Sequence, residues 1–399
     1  MFNQRLQSID VLRGGAIILV IFFHAAVYNY ANINKIDFSD PPIVVVAISF
    51  LMLWGGLLIF LSGVVNAYML SKRLNENYIF KPVKYLFVAG FIYFFLHYVL
   101  NFFLGRWNND FVNNKPDMTV VASSLRNMHL IFPTVNKFFE GSSFSTIALN
   151  IIIVSILLFV LFKSKNEKKN YFVLGLIGFL IMIFSFVRVY LYGFLIQAIV
   201  IKNYFLAIIL SFTIANPYPL LPYLSYGIFA SMVGLMIYKN QRNLLKKAMI
   251  PLGIFFFVFG LIGASNFEKT ISTPDFFWYF KTNMELGIFI ITTVLFYLLF
   301  EKSVLNKLAV IKWFGRVSLT IYMLETLLSE LLRILMNNIN TYWNQTINNC
   351  LLFGLLNVFV WMVILFFWKK NGFKYSLEYF WVKFFDKIGK KSTKMEELR

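Results

Sequence analysis

The stretch Ser8-Ile-Asp-Val-Leu-Arg-Gly-Gly-Ala-Ile-Ile-Leu-Val-Ile-Phe-Phe-His24 decides how the rest of the chain is read. Its body is apolar enough to enter a bilayer, yet it carries an acid, a base and an imidazole. At ~100° per residue the eleven steps from Arg13 to His24 return to within roughly 20° of one helical face. At ~1.5 Å per residue they separate the two side chains by about 16 Å. Asp10 stands one turn before Arg13 on that face, within pairing reach. Each charge held in hydrocarbon costs a few kcal/mol even on lenient insertion scales, so the stripe requires a function or a partner.

Outward from this stretch the composition is uniform. The 399 residues are 59% hydrophobic and 19% aromatic, with only 14% charged. Soluble domains lie nearer half apolar and a quarter charged. The composition therefore predicts an all-α fold, a polytopic bundle of membrane-spanning helices. Ten spans are expected from apolar runs near 9–30, 43–70, 80–104, 143–162, 171–187, 217–238, 249–264, 286–300, 317–337 and 347–368. The stretch 189–214 has two readings, an eleventh span or a re-entrant or interfacial segment. Arg188 and Lys202 interrupt it and favour the second.

The net charge of +19 does not point to nucleic acid, because the cations fall in short clusters between apolar runs. With the N-terminus inside, the inner segments hold about three Lys/Arg for each one on the outer segments. Acidic residues divide evenly, so the bias is in basic residues alone, and both termini are expected in the cytoplasm. Asp10 and Arg13 at the entrance of the first run, with no small-residue cleavage site after it, argue against a removed signal peptide. The lone Cys350 excludes an internal disulfide framework. The Lys/Asn/Ile-rich composition suits a bacterial or archaeal cytoplasmic (inner) membrane. Two regions are expected: a transmembrane domain over 1–368, and a basic amphipathic cytoplasmic tail over 369–399 lying on the inner leaflet. The longest stretch between spans, 105–142, is an outer loop long enough to suggest a function. No internal repeat is visible, which weighs against many transporter folds.

Several residues could carry chemistry. His24 is either a packed polar residue bonded to a neighbouring helix or a general base. Arg13 is either a snorkelling cation partnered by Asp10 or a functional charge. Asn66 and Ser62 in the second run are polar liners or packing residues. Arg126 and His129, three apart in the outer loop, are acceptor contacts or a solvated face. In the ninth run Glu330 and Arg333 form an i,i+3 pair that neutralises itself, while Tyr322 and Glu325 are candidates to face a cavity. No nucleotide-binding glycine loop and no Ser-His-Asp order occurs. Three histidines in all (His24, His97 and His129) argue against a metal site.

An arginine, ten residues and then a histidine, set in Asp-Val-Leu-Arg-Gly-Gly-Ala-Ile-Ile-Leu-Val-Ile-Phe-Phe-His, resembles the opening helix of the transmembrane acyltransferase superfamily. That group includes acyltransferase family 3, the YeiB-like proteins and the heparan-α-glucosaminide N-acetyltransferase-like proteins. Leu57-Leu-Ile-Phe-Leu-Ser-Gly63 is similar to the family's Phe-rich Ser-Gly turn. Pro217-Tyr-Pro-Leu-Leu-Pro-Tyr-Leu-Ser-Tyr-Gly227 with Gly234 resembles its proline-led sixth helix. Phe314-Gly-Arg-Val-Ser-Leu-Thr-Ile-Tyr-Met-Leu-Glu325 is like its late Gly-Arg/Lys-x-Ser-Leu segment, and Ser376-Leu-Glu-Tyr-Phe-Trp is similar to the YeiB-type tail.

The resemblance implies transfer of a small acyl group, such as acetyl, from cytoplasmic acyl-CoA to a glycan or lipid-linked sugar on the outer side. It carries the essential arginine and histidine over to Arg13 and His24, with Asp10 beside them. Two departures bear on the base. Glu325 stands where acyltransferase family 3 often has histidine, and loop 31–42 lacks the outer-loop histidine of the lysosomal N-acetyltransferase. His24 is then the base, with His129 the second candidate. Arg13, Lys312 and Arg316 supply cations for the phosphates of acetyl-CoA. The expected partners are the lipid bilayer, acyl-CoA and the sugar acceptor, with no metal cofactor and no nucleic acid. The same Asp10/Arg13/His24 stripe also fits a transporter or lipid flippase, in which it forms an ion or headgroup pathway. A non-catalytic scaffold is the third reading.

Overall fold

The computed structural model describes residues 6–32, 53–73, 80–106, 108–110, 115–162, 166–215, 217–268, 274–300 and 302–384. The first part of the expected second run, Lys35 and the Lys-rich end of the tail lie outside the described residues. In chain order the longer elements are α1 (Gln7–Val27), α2 (Leu57–Arg73), α3 (Phe80–Val99), the paired short strands β1 (Asn108–Asp110) and β2 (Lys115–Asp117), α4 (Val120–Asn127), α5 (Ser143–Phe162), α6 (Glu167–Phe184), α7 (Val187–Val200), α8 (Tyr204–Ile214), α9 (Leu220–Tyr238), α10 (Ile250–Ala264), α11 (Phe276–Leu299), α12 (Ala309–Arg316), α13 (Ser318–Ile339) and α14 (Ile347–Lys370).

Among the described residues, seven helices are long and apolar enough to cross a membrane, or eight if the bent pair α6–α7 counts as one span. The difference from ten has physical causes. The described part of α2 is short, and α13 carries Glu325, Glu330 and Arg333 within its length. The region 189–214 forms two helices, α7 and α8, packed on one another through Tyr192, Leu195, Ala198, Ala207 and Ile214. At ~1.5 Å per residue the eleven-residue α8 is far shorter than the ~30 Å core. The break between α6 and α7 is bent by 61°. Part of the 105–142 loop is structured, with β1 pairing antiparallel to β2 and α4 following.

The chain divides into two compact units, one made of Met1–Leu53, Ser124–His129 and Phe300–Arg399, the other of Trp54–Ser123 and Leu130–Leu299. In the first, α1 and α12 cross with their backbones in contact. A Cβ on Gly14 would strike the carbonyl of Ile311, and one on Gly315 the carbonyl of Asp10. Small residues at a crossing let helices approach where lipid offers no hydrophobic drive. Helix α13 has no side-chain cap from its own N-cap residue, Val317. Glu378 supplies one: its carboxylate accepts from the Leu319 and Thr320 amides at 2.7 and 3.3 Å and from the Thr320 hydroxyl at 2.6 Å. A carboxylate there satisfies orphan N–H groups and complements the positive end of the helix dipole.

In the second unit α9 is the buried helix, with 83% of its most apolar window inside the protein. Its Gly227 sits against Asn150 of α5, and its Gly234 against the Val64 carbonyl of α2. Many large apolar side chains elsewhere, such as Phe95, Phe205 and Phe359, are exposed. Outward-facing apolar rings on helices are what a lipid solvent requires.

Candidate functional site

The polar face of α1 is matched, step by step, by residues of α13 in the same unit. At the first step Arg13 Nη2 donates to Ser318 Oγ at 2.7 Å. At the second, His24 Nδ1 lies 2.8 Å from Glu325 Oε1. At the third, Arg126 bridges the two helices, donating to Asn29 Oδ1 at 2.7 Å and through Nε to Glu330 Oε1 at 3.0 Å. Positions 13, 24 and 29 pair in rising order with 318, 325 and 330, so α1 and α13 run parallel. The backbone crossing at Gly14 and Gly315 brings the start of α13 beside Arg13.

The second step has the form of a base with an orienting acid. With Glu325 ionised its carboxylate only accepts, so a neutral imidazole bonded to it carries its proton on Nδ1 and keeps the lone pair on Nε2. Glu325 is buried and is itself held by the Thr326 hydroxyl, which donates to Oε1 at 3.0 Å. The His24 ring is half-buried and meets the Tyr28 ring edge-on, with centroids 5.6 Å apart. Imidazole, carboxylate and hydroxyl thus form a chain that fixes ring orientation and tautomer together, as second-layer hydrogen bonds do at catalytic histidines.

The third step is an ion cluster. Glu330 accepts from Arg126 and, through Oε2 at 2.6 Å, from Arg333 Nε, while Arg333 Nη2 donates to the Arg126 carbonyl at 2.9 Å. Arg126 is therefore joined to the expected Glu330–Arg333 pair. His129 is exposed, its Nδ1 2.9 Å from the Asn127 carbonyl. At the opposite end, Lys312 lies 3.5 Å from Gln7 Oε1, Arg316 is exposed on α12, and Lys369 sits 4.5 Å above the Trp313 ring. Asp10 keeps its place one turn before Arg13, and Tyr322 is half-buried on the α13 face that also carries Ser318 and Glu325.

Ser62 and Asn66 belong to the second unit. There they hydrogen-bond each other at 3.2 Å and line a narrow cleft with Asn150, Ser155 and Ser231. His97, also in that unit, bonds Ser142 Oγ at 2.7 Å. Among the described residues no cluster of His, Cys, Asp and Glu is placed to hold a metal. Sequence reasoning passed over Asn29, Ser318 and Thr326. Ser318 lies inside the quoted Gly-Arg-Val-Ser-Leu motif and Thr326 just beyond it, whereas nothing local marks Asn29.

The model of the acyltransferase domain family Acyl_transf_3 matches residues 6–383. The chain belongs to acyltransferase family 3. No curated protein matches it significantly. The chain is accordingly a membrane acyltransferase, and its matched region contains all three steps of the α1–α13 pairing. In this acyltransferase the match continues beyond α14 and takes in Glu378, the carboxylate that caps α13.

Proposed function

We propose that this acyltransferase moves a small acyl group, acetyl in the simplest case, from cytoplasmic acyl-CoA to a hydroxyl or amine of a glycan or lipid-linked sugar on the outer side. The observation that carries the reading is the 2.8 Å bond between His24 Nδ1 and Glu325. It leaves Nε2 to take the proton from the acceptor as the acceptor attacks the thioester carbonyl. Collapse of the tetrahedral adduct breaks the C–S bond and releases the CoA thiolate, to which the imidazolium returns a proton. Glu325 steadies the imidazolium while it exists. Arg13, held by Ser318, with Lys312 and Arg316 forms a cationic mouth for the CoA phosphates. The separation of about 16 Å between Arg13 and His24 suits an extended pantetheine arm running along α1. The parallel course of α1 and α13 and the excess of basic residues on the N-terminal side support a cytoplasmic mouth and cytoplasmic termini.

The test is purified protein with radiolabelled acetyl-CoA and a mixed acceptor extract. Wild type is expected to label an acceptor, and His24→Ala to lose transfer by about 10²–10⁴-fold. Transfer that survives the substitution removes His24 from the mechanism. Substrate flux in sealed vesicles without acyl-CoA would instead mark a transporter.

A further inference from the structure

The third step of the α1–α13 pairing holds more cation than its own structure consumes. Glu330 is buried and carries one negative charge, and two guanidinium groups converge on it. Arg126 commits Nε and Nη2, and Arg333 commits Nε and Nη2. The Nη1 group of each has no hydrogen-bond partner among the described residues. Neither arginine is sealed off, their side chains being 23% and 14% exposed. One turn before Arg333 on α13 stands a second uncommitted donor. Ser329 is 2% exposed, its hydroxyl has no partner, and its position falls on the α13 face between Glu325 and Arg333.

We propose that Arg126 and Arg333, bridged by Glu330 and joined by the Ser329 hydroxyl, seat an anionic group, phosphate or carboxylate, carried by the acyl acceptor. The inference rests on the acyl-transfer reading and deepens it. Planar guanidinium forks match the oxygen pairs of both anions, and one unit of uncompensated positive charge in a partly desolvated setting favours them. Position is the second support. Glu330 follows Glu325 by five residues, so the seat lies about 7–8 Å along α13 from the base, and Asn29, just past the end of α1, meets Arg126 there. That is the scale of one sugar unit between a reacting hydroxyl and its own anion. Glu330 holds the guanidinium groups at a fixed spacing and keeps the empty seat from carrying two unopposed charges.

The experiment is calorimetric binding to full-length protein carrying His24→Ala, so that no turnover interferes. The probes are a hexose 1-phosphate, a hexuronic acid, the neutral hexose, and an isoprenyl phosphate in mixed micelles. Both anionic sugars are expected to bind at least about tenfold more tightly than the neutral hexose, with the preference shrinking in high salt. Arg333→Gln should lower anion affinity about tenfold, and Arg333→Lys, which keeps the charge beside Glu330 and loses the fork, severalfold. Glu330→Gln should tighten anion binding, a change a purely structural ion cluster does not produce. Isoprenyl phosphate binding as tightly as the sugar anions assigns the charge to a lipid carrier, and weaker binding assigns it to the sugar. Equal affinity for neutral and anionic probes, or no gain with Glu330→Gln in a protein of unchanged size-exclusion profile, overturns the inference. Anion binding without transfer of label in the wild type would fail the acyl-transfer reading alone. Transfer with no anion preference would fail this inference alone.

Discussion

His24 and Glu325 make a pair that neither residue announces by itself. An imidazole on a membrane helix is ordinary if it packs against a polar neighbour, and a glutamate in an apolar helix is ordinary if a cation neutralises it. What distinguishes them is that each is the other's partner at 2.8 Å, with Thr326 holding the carboxylate from behind. Glu325→Gln tests this at the residue scale. The amide can donate to Nδ1, which places the ring proton on Nε2 and would remove the proposed base without altering shape. The expected loss is about 10²–10⁴-fold in kcat, with KM for acyl-CoA little changed, because the cations at the Arg13 end are untouched. Initial rates at several acyl-CoA concentrations measure both constants, and a rate within a factor of about three of wild type would deny Glu325 an orienting role. Arg13 and His24 were legible in the sequence because the helical period is local and places them on one face. Their partners were not, since Ser318 and Glu325 lie about three hundred positions away and only packing brings them near.

Helix α13 is the element on which the site depends. It presents Ser318, Glu325, Ser329, Glu330 and Arg333 to its surroundings, and its apolar character is correspondingly low for a span. Its charged residues are tolerable because described partners meet them: His24 at Glu325, two arginines at Glu330. Removing one member of such a buried set costs more than the set contributes, because a charge is left unpaired. The register of α13 is fixed at its start by Glu378. Leu377 N–H donates back to the Thr320 hydroxyl at 2.8 Å, so the contact is reciprocal, as in a capping box assembled from distant chain. Glu378→Ala is expected to cost about 0.5–2 kcal/mol, the usual range for a lost helix cap. Thermal unfolding in detergent reads this, and Glu378→Gln, which still accepts hydrogen bonds, should recover part of it. An unchanged midpoint in Glu378→Ala would mean that water caps the helix equally well. The composition of the tail suggested only a basic amphipathic segment on the leaflet. The structure gives its beginning, near Ser376 and Glu378, a fixed seat on α13.

At the scale of the whole molecule, the first question is which end of each helix faces the cytoplasm. Helix α14 is long and apolar enough to span, so its ends should label from opposite sides. With Cys350 replaced by alanine, an impermeant maleimide on intact cells is expected to reach Thr341→Cys, and to reach Lys374→Cys only after permeabilisation. Labelling of Lys374→Cys on intact cells, with Thr341→Cys reached only after permeabilisation, would reverse the proposed direction of transfer. Much at this scale is set by sequence alone, because hydrophobic burial in lipid is read residue by residue. The apolar runs, the basic clusters between them, the polar face of the first helix and the family motifs all follow from local order. Where the apolar runs were ambiguous, local order left two readings open. It could not see that α6 and α7 bend by 61°, or that α7 and α8 pack on each other as two short helices. The tertiary structure alone decided the pairings that make a site: Arg13 with Ser318, His24 with Glu325, and Arg126 with Glu330 and Arg333. The first of them stands beside two backbones that meet at Gly14 and Gly315, and such a meeting is a property of packed surfaces, which no local pattern encodes.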